Sequence, residues 1–373
     1  MKGPGSIFLW CAFLALASLA CTAEEEPPSP EAVKESMLRG KKALLSRQHD
    51  DGSWGGDEVK NQDSHKSDYP VAISSLAYLA LLSTAAEGAE AAKAREKSLR
   101  FIFDIINPDG TMKNTRDNTP KIHERNVWSQ AFSMFVFSRI LAAKDVPDET
   151  KSQLRTETKN MIAALKKTQQ KDGGWTYNRA PSDTMLTGTV LMGLTAARGA
   201  GIVVPAELID KSVAFLKKYS APGAYVAYKG RPVKKRSRKE IRDSAGRSIL
   251  LELSLIQAGA GSTEHLERAV HTFFRYRERF DKIRDLEKGC HQKPYGIGTF
   301  YIFYGYFYLA HALEELGGDV RKQYRPILVN HFLKLQKKDG HWIDSKDHTG
   351  ESYGTAMGLL ILSAPVWAKQ KKG

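Results

Sequence analysis

The sequence predicts an all-α protein in which six outer and six inner helices close into one ring. Three observations carry that expectation. A turn motif that ends an amphipathic helix recurs with one internal spacing. Each copy is followed by a second helical stretch that is apolar nearly all round. Alternating runs joined by hairpin turns, the mark of strands, are scarce.

The motif first occurs in RGKKALLSRQHDDGSWGG, residues 39–56. Its Leu44, Gln48, Gly52 and Trp54 correspond to Leu165, Gln169, Gly173 and Trp175, and again to Phe332, Gln336, Gly340 and Trp342. In FIFDIINPDGTM the same slots hold Ile102, Ile106, Gly110 and Met112, and FLKKYSAPGAY is a copy one residue shorter, closed by Gly223 and Tyr225. The turn glycines recur roughly every 50–60 residues, a period that marks stacked supersecondary units. One double-length gap accommodates a degenerate unit around HLERAVHTFFRYRERF.

The first helix of each pair is lysine-rich and amphipathic, as in KNMIAALKKTQQ, and so keeps one face in water. The second helices are expected to begin near Tyr69, Asn126, Asp183, Ser244, Gly296 and Ser352, and their apolar circumference demands burial on all sides. The turn is a brace. Glycine takes a positive φ at little cost, the aromatic folds back over the turn, and the glutamine can bond unpaired backbone groups at a neighbouring helix end.

The chain has 373 residues, 42% of them apolar, enough to bury a large core. Its 56 Lys and Arg outnumber 42 Asp and Glu, and the resulting net charge of +14 favours anionic partners without selecting one. Residues 1–23 read as a signal peptide, with one lysine, an apolar run over residues 7–20 and small residues beyond it. Residues 24–30 form an acidic, proline-rich linker, and residues 31–368 the helical ring. Export is therefore expected, to the periplasm or outside, with lipidation at Cys21 as the alternative to plain cleavage. Of three cysteines two lie in the leader, which leaves Cys290 and no internal disulfide.

Arg39-Gly40, Leu44, Gln48, Gly52 and Trp54 resemble the full QW motif of the squalene-hopene cyclase and protein prenyltransferase superfamily, the α/α toroids. More narrowly, DTMLTGTVLMGL, SAGRSILLEL, PYGIGTFYIFYGYFYLAHA and ESYGTAMGLLIL resemble inner-helix segments of exported bacterial prenyltransferase and squalene oxidase repeat proteins. That resemblance implies an architecture and no particular reaction.

The chemistries of that superfamily lack their residues here. Class II cyclases protonate an alkene with an Asp-x-Asp-Asp cluster, but PSDTMLTG retains Asp183 with Ser182 and Ala180 in place of further carboxylates. A lone Asp before a helix is commonly an N-cap. The prenyltransferase zinc spacing is absent, since Asp285, Cys290-His291 and His311 do not reproduce it. No thioester GCGEQ, G-x-S-x-G, H-E-x-x-H or phosphate-binding glycine loop occurs. No cofactor or metal is implied.

Polar groups at or near the inner-helix starts remain as candidates: Asp183, Arg247, Glu252, His291, Tyr295 and Tyr353. Such starts gather at the mouth of a toroid, where helix dipoles favour anions. Glu252 sits in SILLELSLI and needs a partner if buried; Arg247 either neutralises it as a helix-bracing ion pair or points with it into the ring. In FYIFYGYFY, Phe300, Tyr304, Phe307 and Tyr308 are candidate ligand-lining rings, against the plainer role of packing. The run KGRPVKKRSRKEIR reads as an exposed loop, and Lys234, Lys235, Arg236, Arg238 and Lys239 make it a candidate patch for anionic polymers or an anionic membrane surface. Nucleic acid is not expected.

Three functional classes follow. The first is a protein that binds an extended isoprenoid or other lipid, peptide or glycan in or near the central cavity. The second is a divergent cyclase or prenyltransferase-like enzyme. The third is a polysaccharide lyase or hydrolase, for which His, Tyr and Arg suit proton abstraction.

Overall fold

The computed structural model describes residues 25–55, 69–84, 88–113, 122–143, 146–176, 181–221, 225–228, 238–285, 302–345 and 350–368, apart from the side chains of 122–126 and 238–240. Its helices in chain order are α1 (Pro30–Leu45), α2 (Pro70–Ser83), α3 (Ala89–Ile105), α4 (Ile122–Leu141), α5 (Asp148–Thr168), α6 (Thr184–Gly199) and α7 (Ala206–Lys218). A short hairpin of β1 (Ser220–Ala221) and β2 (Tyr225–Val226) follows, then α8 (Arg238–Gln257), α9 (Thr263–Arg284), α10 (Ile302–Leu316), α11 (Gly318–Leu335), α12 (Glu351–Leu362) and α13 (Ala364–Trp367).

Even-numbered helices are the inner ones. Each of α2, α4, α6, α8, α10 and α12 packs on the next, and α12 packs on α2, so the ring is closed. Burial follows the sequence pattern. Every residue of α6 from Thr184 to Ala197 is buried, whereas outer helix α5 buries the stripe Leu154, Thr158, Met161, Ile162 and Leu165.

The brace is built as the motif suggests, three times over. Gln48 donates to the carbonyls of Gly52 and Ala94, Gln169 to those of Gly173 and Leu208, and Gln336 to those of Gly340 and Ser36. The tryptophan indoles of Trp54, Trp175 and Trp342 donate back to Leu44, Leu165 and Phe332, ten residues earlier in each case. Their backbone N–H groups meet hydroxyls of the following inner helix, on Ser74, Thr187 and Thr355. Each turn thus ties one outer helix to its own inner helix and to the next outer helix.

One detail differs from the expectation. Ala94 and Ser36 lie inside α3 and α1, so the glutamines use the second lone pair of carbonyls already within a helix rather than unpaired groups at its end. Small residues one turn on, Gly40, Ser98 and Ser212, leave room for that approach. The turn glycines have φ of 80–95° and press on the same neighbours; a Cβ on Gly340 would stand 2.5 Å from the Arg39 carbonyl oxygen.

Inner-helix starts agree at Tyr69, Asp183 and Ser352 to within a residue or so, while α4 begins at Ile122, before Asn126. The α8 helix begins at Arg238 rather than near Ser244, so Arg238 and Lys239 open a helix and are not loop residues. Its first turns reach beyond the apolar core, where Ile241, Arg242 and Asp243 are partly exposed. The expected start near Gly296 lies outside the described residues.

Candidate functional site

The inner helices run parallel, which gives the ring two different ends. Near the starts of α4 and α10, Trp128 meets Tyr304 edge-on at 5.7 Å between ring centroids. Farther along, Phe135 meets Phe307 at 6.1 Å. Because α4 and α10 stand on opposite sides of a six-membered ring, these contacts cross its axis. The Tyr304 and Tyr308 hydroxyls both bond Thr189 Oγ1 of α6, which fixes the two phenols in the interior. Burial raises the pKa of Tyr304, with further increase from the neighbouring Tyr308, and burial raises that of Tyr308 too, so both groups stay neutral hydroxyls.

At the far end α13 acts as a stopper. Trp367 stacks on Phe307 at 4.9 Å and 9°, lies edge-on to Phe135 and His311, and donates its indole N–H to Leu360 O at 2.8 Å. The inner-helix N-termini lie at the opposite end, here called the mouth.

Asp183 sits at this mouth, fully buried, and caps α6: Oδ1 accepts from the backbone N–H of Met185 at 2.8 Å and of Leu186 at 3.1 Å. Its own N–H donates to Trp175 O at 2.7 Å, so the brace turn that carries Trp175 sets its position. Arg247 of α8 is 7% exposed and donates to the carbonyls of Asp243 at 3.1 Å and Val226 at 3.2 Å. Its guanidinium lies 5.7 Å over the Tyr228 ring. Burial lowers the Arg247 pKa, and the charge of Asp183 works against that shift. Thr184 anchors the segment just after β2 twice, its hydroxyl donating to Ala227 O at 2.5 Å and its backbone N–H to Tyr228 O at 3.2 Å. Asp183, Arg247 and the partly exposed Tyr225 and Tyr228 thus form one assembly at the junction of α6, α8 and the hairpin.

The other expected residues fall in different places. Glu252 is 2% exposed, and its Oε2 lies 3.9 Å from His265 Nδ1 of outer helix α9. The carboxylates whose charge bears on Arg247 are Asp183 and Asp243, so the suggested Arg247–Glu252 neutralisation is replaced by these two. Tyr353 is partly exposed in the first turn of α12. Tyr304, Phe307 and Tyr308 are 3%, 1% and 1% exposed and pack across the axis. His291, Tyr295, Phe300, Lys234, Lys235 and Arg236 lie outside the described residues. Asp285 ends α9 at the mouth, while His311 packs on Trp367 at the stoppered end, so these two cannot share a metal.

Sequence reasoning missed Asp344. This fully buried carboxyl follows Trp342 in the last brace turn and accepts from Phe303 N at the start of α10, and its Oδ2 has no hydrogen-bond partner among the described residues. Burial raises its pKa to about 7 against the pull of the Phe303 and Ile302 N–H groups and of Arg284. Its signal was a carboxylate two residues beyond a motif tryptophan, a slot held by Gly56 after Trp54 and by Tyr177 after Trp175.

No protein-family model and no curated protein matches the chain. Solved structures do match its fold. An unsaturated glucuronyl hydrolase specific for heparin is 11% identical, with a TM-score of 0.61 over 90% of this chain and 97% of that one. An α-1,6-mannanase, GH76A of Salegentibacter sp. HEL1_6, solved with α-1,6-mannotetrose, is 8% identical with a TM-score of 0.57 over 90% and 99%. The type II terpene cyclase MstE from Scytonema, with geranylgeranyl dihydroxybenzoate, is 11% identical with a TM-score of 0.51 over 91% and 98%. At these identities the likeness is one of fold. The chain is an all-α toroid.

Proposed function

We propose that the protein binds a glycan chain across the mouth of the toroid, outside the cytoplasm if the leader acts as read. One observation carries this reading: the axis is crossed by Trp128–Tyr304 and Phe135–Phe307 and stoppered by Trp367, so the deep apolar bore that an isoprenoid would fill is occupied by the protein's own rings. Polar and aromatic groups gather instead at the mouth, where the partly exposed Tyr225, Tyr228 and Tyr353 offer hydrogen bonds and flat faces of the kind sugars use, backed by the buried Asp183 and Arg247. Two of the structural neighbours, by their names a mannanase and a glucuronyl hydrolase, support a toroid's suitability for glycans.

The test is calorimetry of the purified protein with mannan, polygalacturonate and sulfated glycans, beside mass spectrometry of organic extracts. Saturable glycan binding weakened by Tyr228→Ala is the expected result. A stoichiometric isoprenoid in the extract, with no glycan bound, would overturn the reading in favour of a lipid carrier or a divergent cyclase.

A further inference from the structure

At the stoppered end two half-buried arginines meet the same problem and solve it differently. Burial draws the pKa of both Arg325 and Arg139 down to about 10. Arg325 is compensated, donating to the carbonyls of Ile361 at 2.8 Å and Leu362 at 2.6 Å. Arg139, near the end of α4, lies 4.9 Å over the Phe135 ring and has no carboxylate within ion-pair distance among the described residues, Glu315 acting on it only from farther off. Its Nε and Nη2 are both covered and both without a hydrogen-bond partner among the described residues. Covering two donors of a cation without hydrogen-bonding them is costly, and proteins retain such an edge where something else completes it.

The two bare donors are not any two. Nε and Nη2 form one edge of the guanidinium, with parallel N–H bonds at the spacing of two carboxylate oxygens. The surroundings suit a small ligand with an apolar body. Phe135 lies beside Trp367 and His311, at 5.9 and 6.2 Å between centroids. His311 accepts from Gln257 Nε2 at 3.1 Å, which leaves Gln257 Oε1 as a further acceptor without a partner among the described residues. We propose that the stoppered end holds a second site, separate from the mouth, in which the Nε–Nη2 edge of Arg139 binds a small carboxylate between the ends of α4, α8 and α10. The site is independent of glycan binding at the mouth.

His311 supplies the readout. Burial and the Arg139 charge together lower its pKa to about 3, so an anion on Arg139 relieves part of that effect. The experiment follows the His311 ring resonances of the full chain by NMR, and its melting temperature, during titration with sodium acetate, with sodium lactate, and with sodium chloride at matched ionic strength. A saturable His311 shift and a saturable rise in melting temperature with the carboxylates, both absent with chloride, are expected. Arg139→Met should abolish both responses. Arg139→Lys keeps the charge without the two-donor edge and should weaken binding about ten-fold, which keeps the test decisive if the methionine variant folds poorly. A response that chloride reproduces, or one that persists in Arg139→Met, would overturn the assignment.

Discussion

The Gln336 side-chain amide donates to the Ser36 carbonyl at 2.8 Å while the Ser36 hydroxyl donates to Gln336 Oε1 at 2.8 Å, joining the last outer helix to the first across 300 residues. This is the same brace that Gln48 and Gln169 make between consecutive units, used here to close the ring. Gln336→Ala is expected to lower the unfolding free energy by about 2 kcal/mol, on the order of the net worth of its three partly buried hydrogen bonds. Urea denaturation of Gln48→Ala, Gln169→Ala and Gln336→Ala compares the three seams. An unchanged midpoint for all of them would remove the glutamines from any account of stability.

Two glycine substitutions separate backbone strain from close packing. Gly259 has φ of 76° with open space beyond its Cα, so Gly259→Ala should cost about 1 kcal/mol. Gly340 has φ of 95° and would drive its Cβ onto the Arg39 carbonyl, so Gly340→Ala should cost about 3 kcal/mol. Equal losses in thermal melts would mean that contact with α1 adds nothing.

Trp367 is 4% exposed and touches Phe307, Phe135 and His311. Trp367→Ala should cost about 3–5 kcal/mol, as for other large core truncations. It also lets water reach His311, whose pKa should climb from about 3 toward that of an ordinary imidazole. NMR titration checks this; a His311 that stays neutral through pH 4 in the variant would show that α13 does not seal the ring.

Asp344 gives a pH signature of known sign. Its folded pKa, about 7, exceeds the ordinary 3.8, so between those values the folded state holds a proton that the unfolded chain has released. The stability Asp344 confers is then fully present below about pH 4 and falls, by an amount on the order of a few kcal/mol, as pH rises toward 7. Asp344→Asn can still accept from Phe303 N and should lose this slope, becoming at least as stable as the parent above pH 7. A parent and variant with parallel pH profiles would contradict it.

The brace was legible because its four residue types recur at one spacing, and the ring because six apolar stretches had nowhere to go but a shared interior. Asp183 as a cap could be read from its place before an apolar run. The partners of Arg247 could not: Val226 belongs to a hairpin too short to show a period, Tyr228 follows it, and Asp183 is brought beside Arg247 by tertiary packing. Glu252 was recognisable as a buried acid, but not the helix that would face it. Asp344 escaped because its burial is set by α10, forty-one residues earlier in the chain.

The seam between Gln336 and Ser36 also dictates when the molecule can be finished. During synthesis the unit of α1 and α2 emerges with one flank bare, since its ring neighbours α11 and α12 are made only after the four pairs between them. An open solenoid can settle repeat by repeat, but here the first pair keeps an unsatisfied side until the final pair arrives. The first and last units must therefore be matched to each other as closely as any two consecutive ones, and a seventh pair could be admitted only by redrawing the whole circumference.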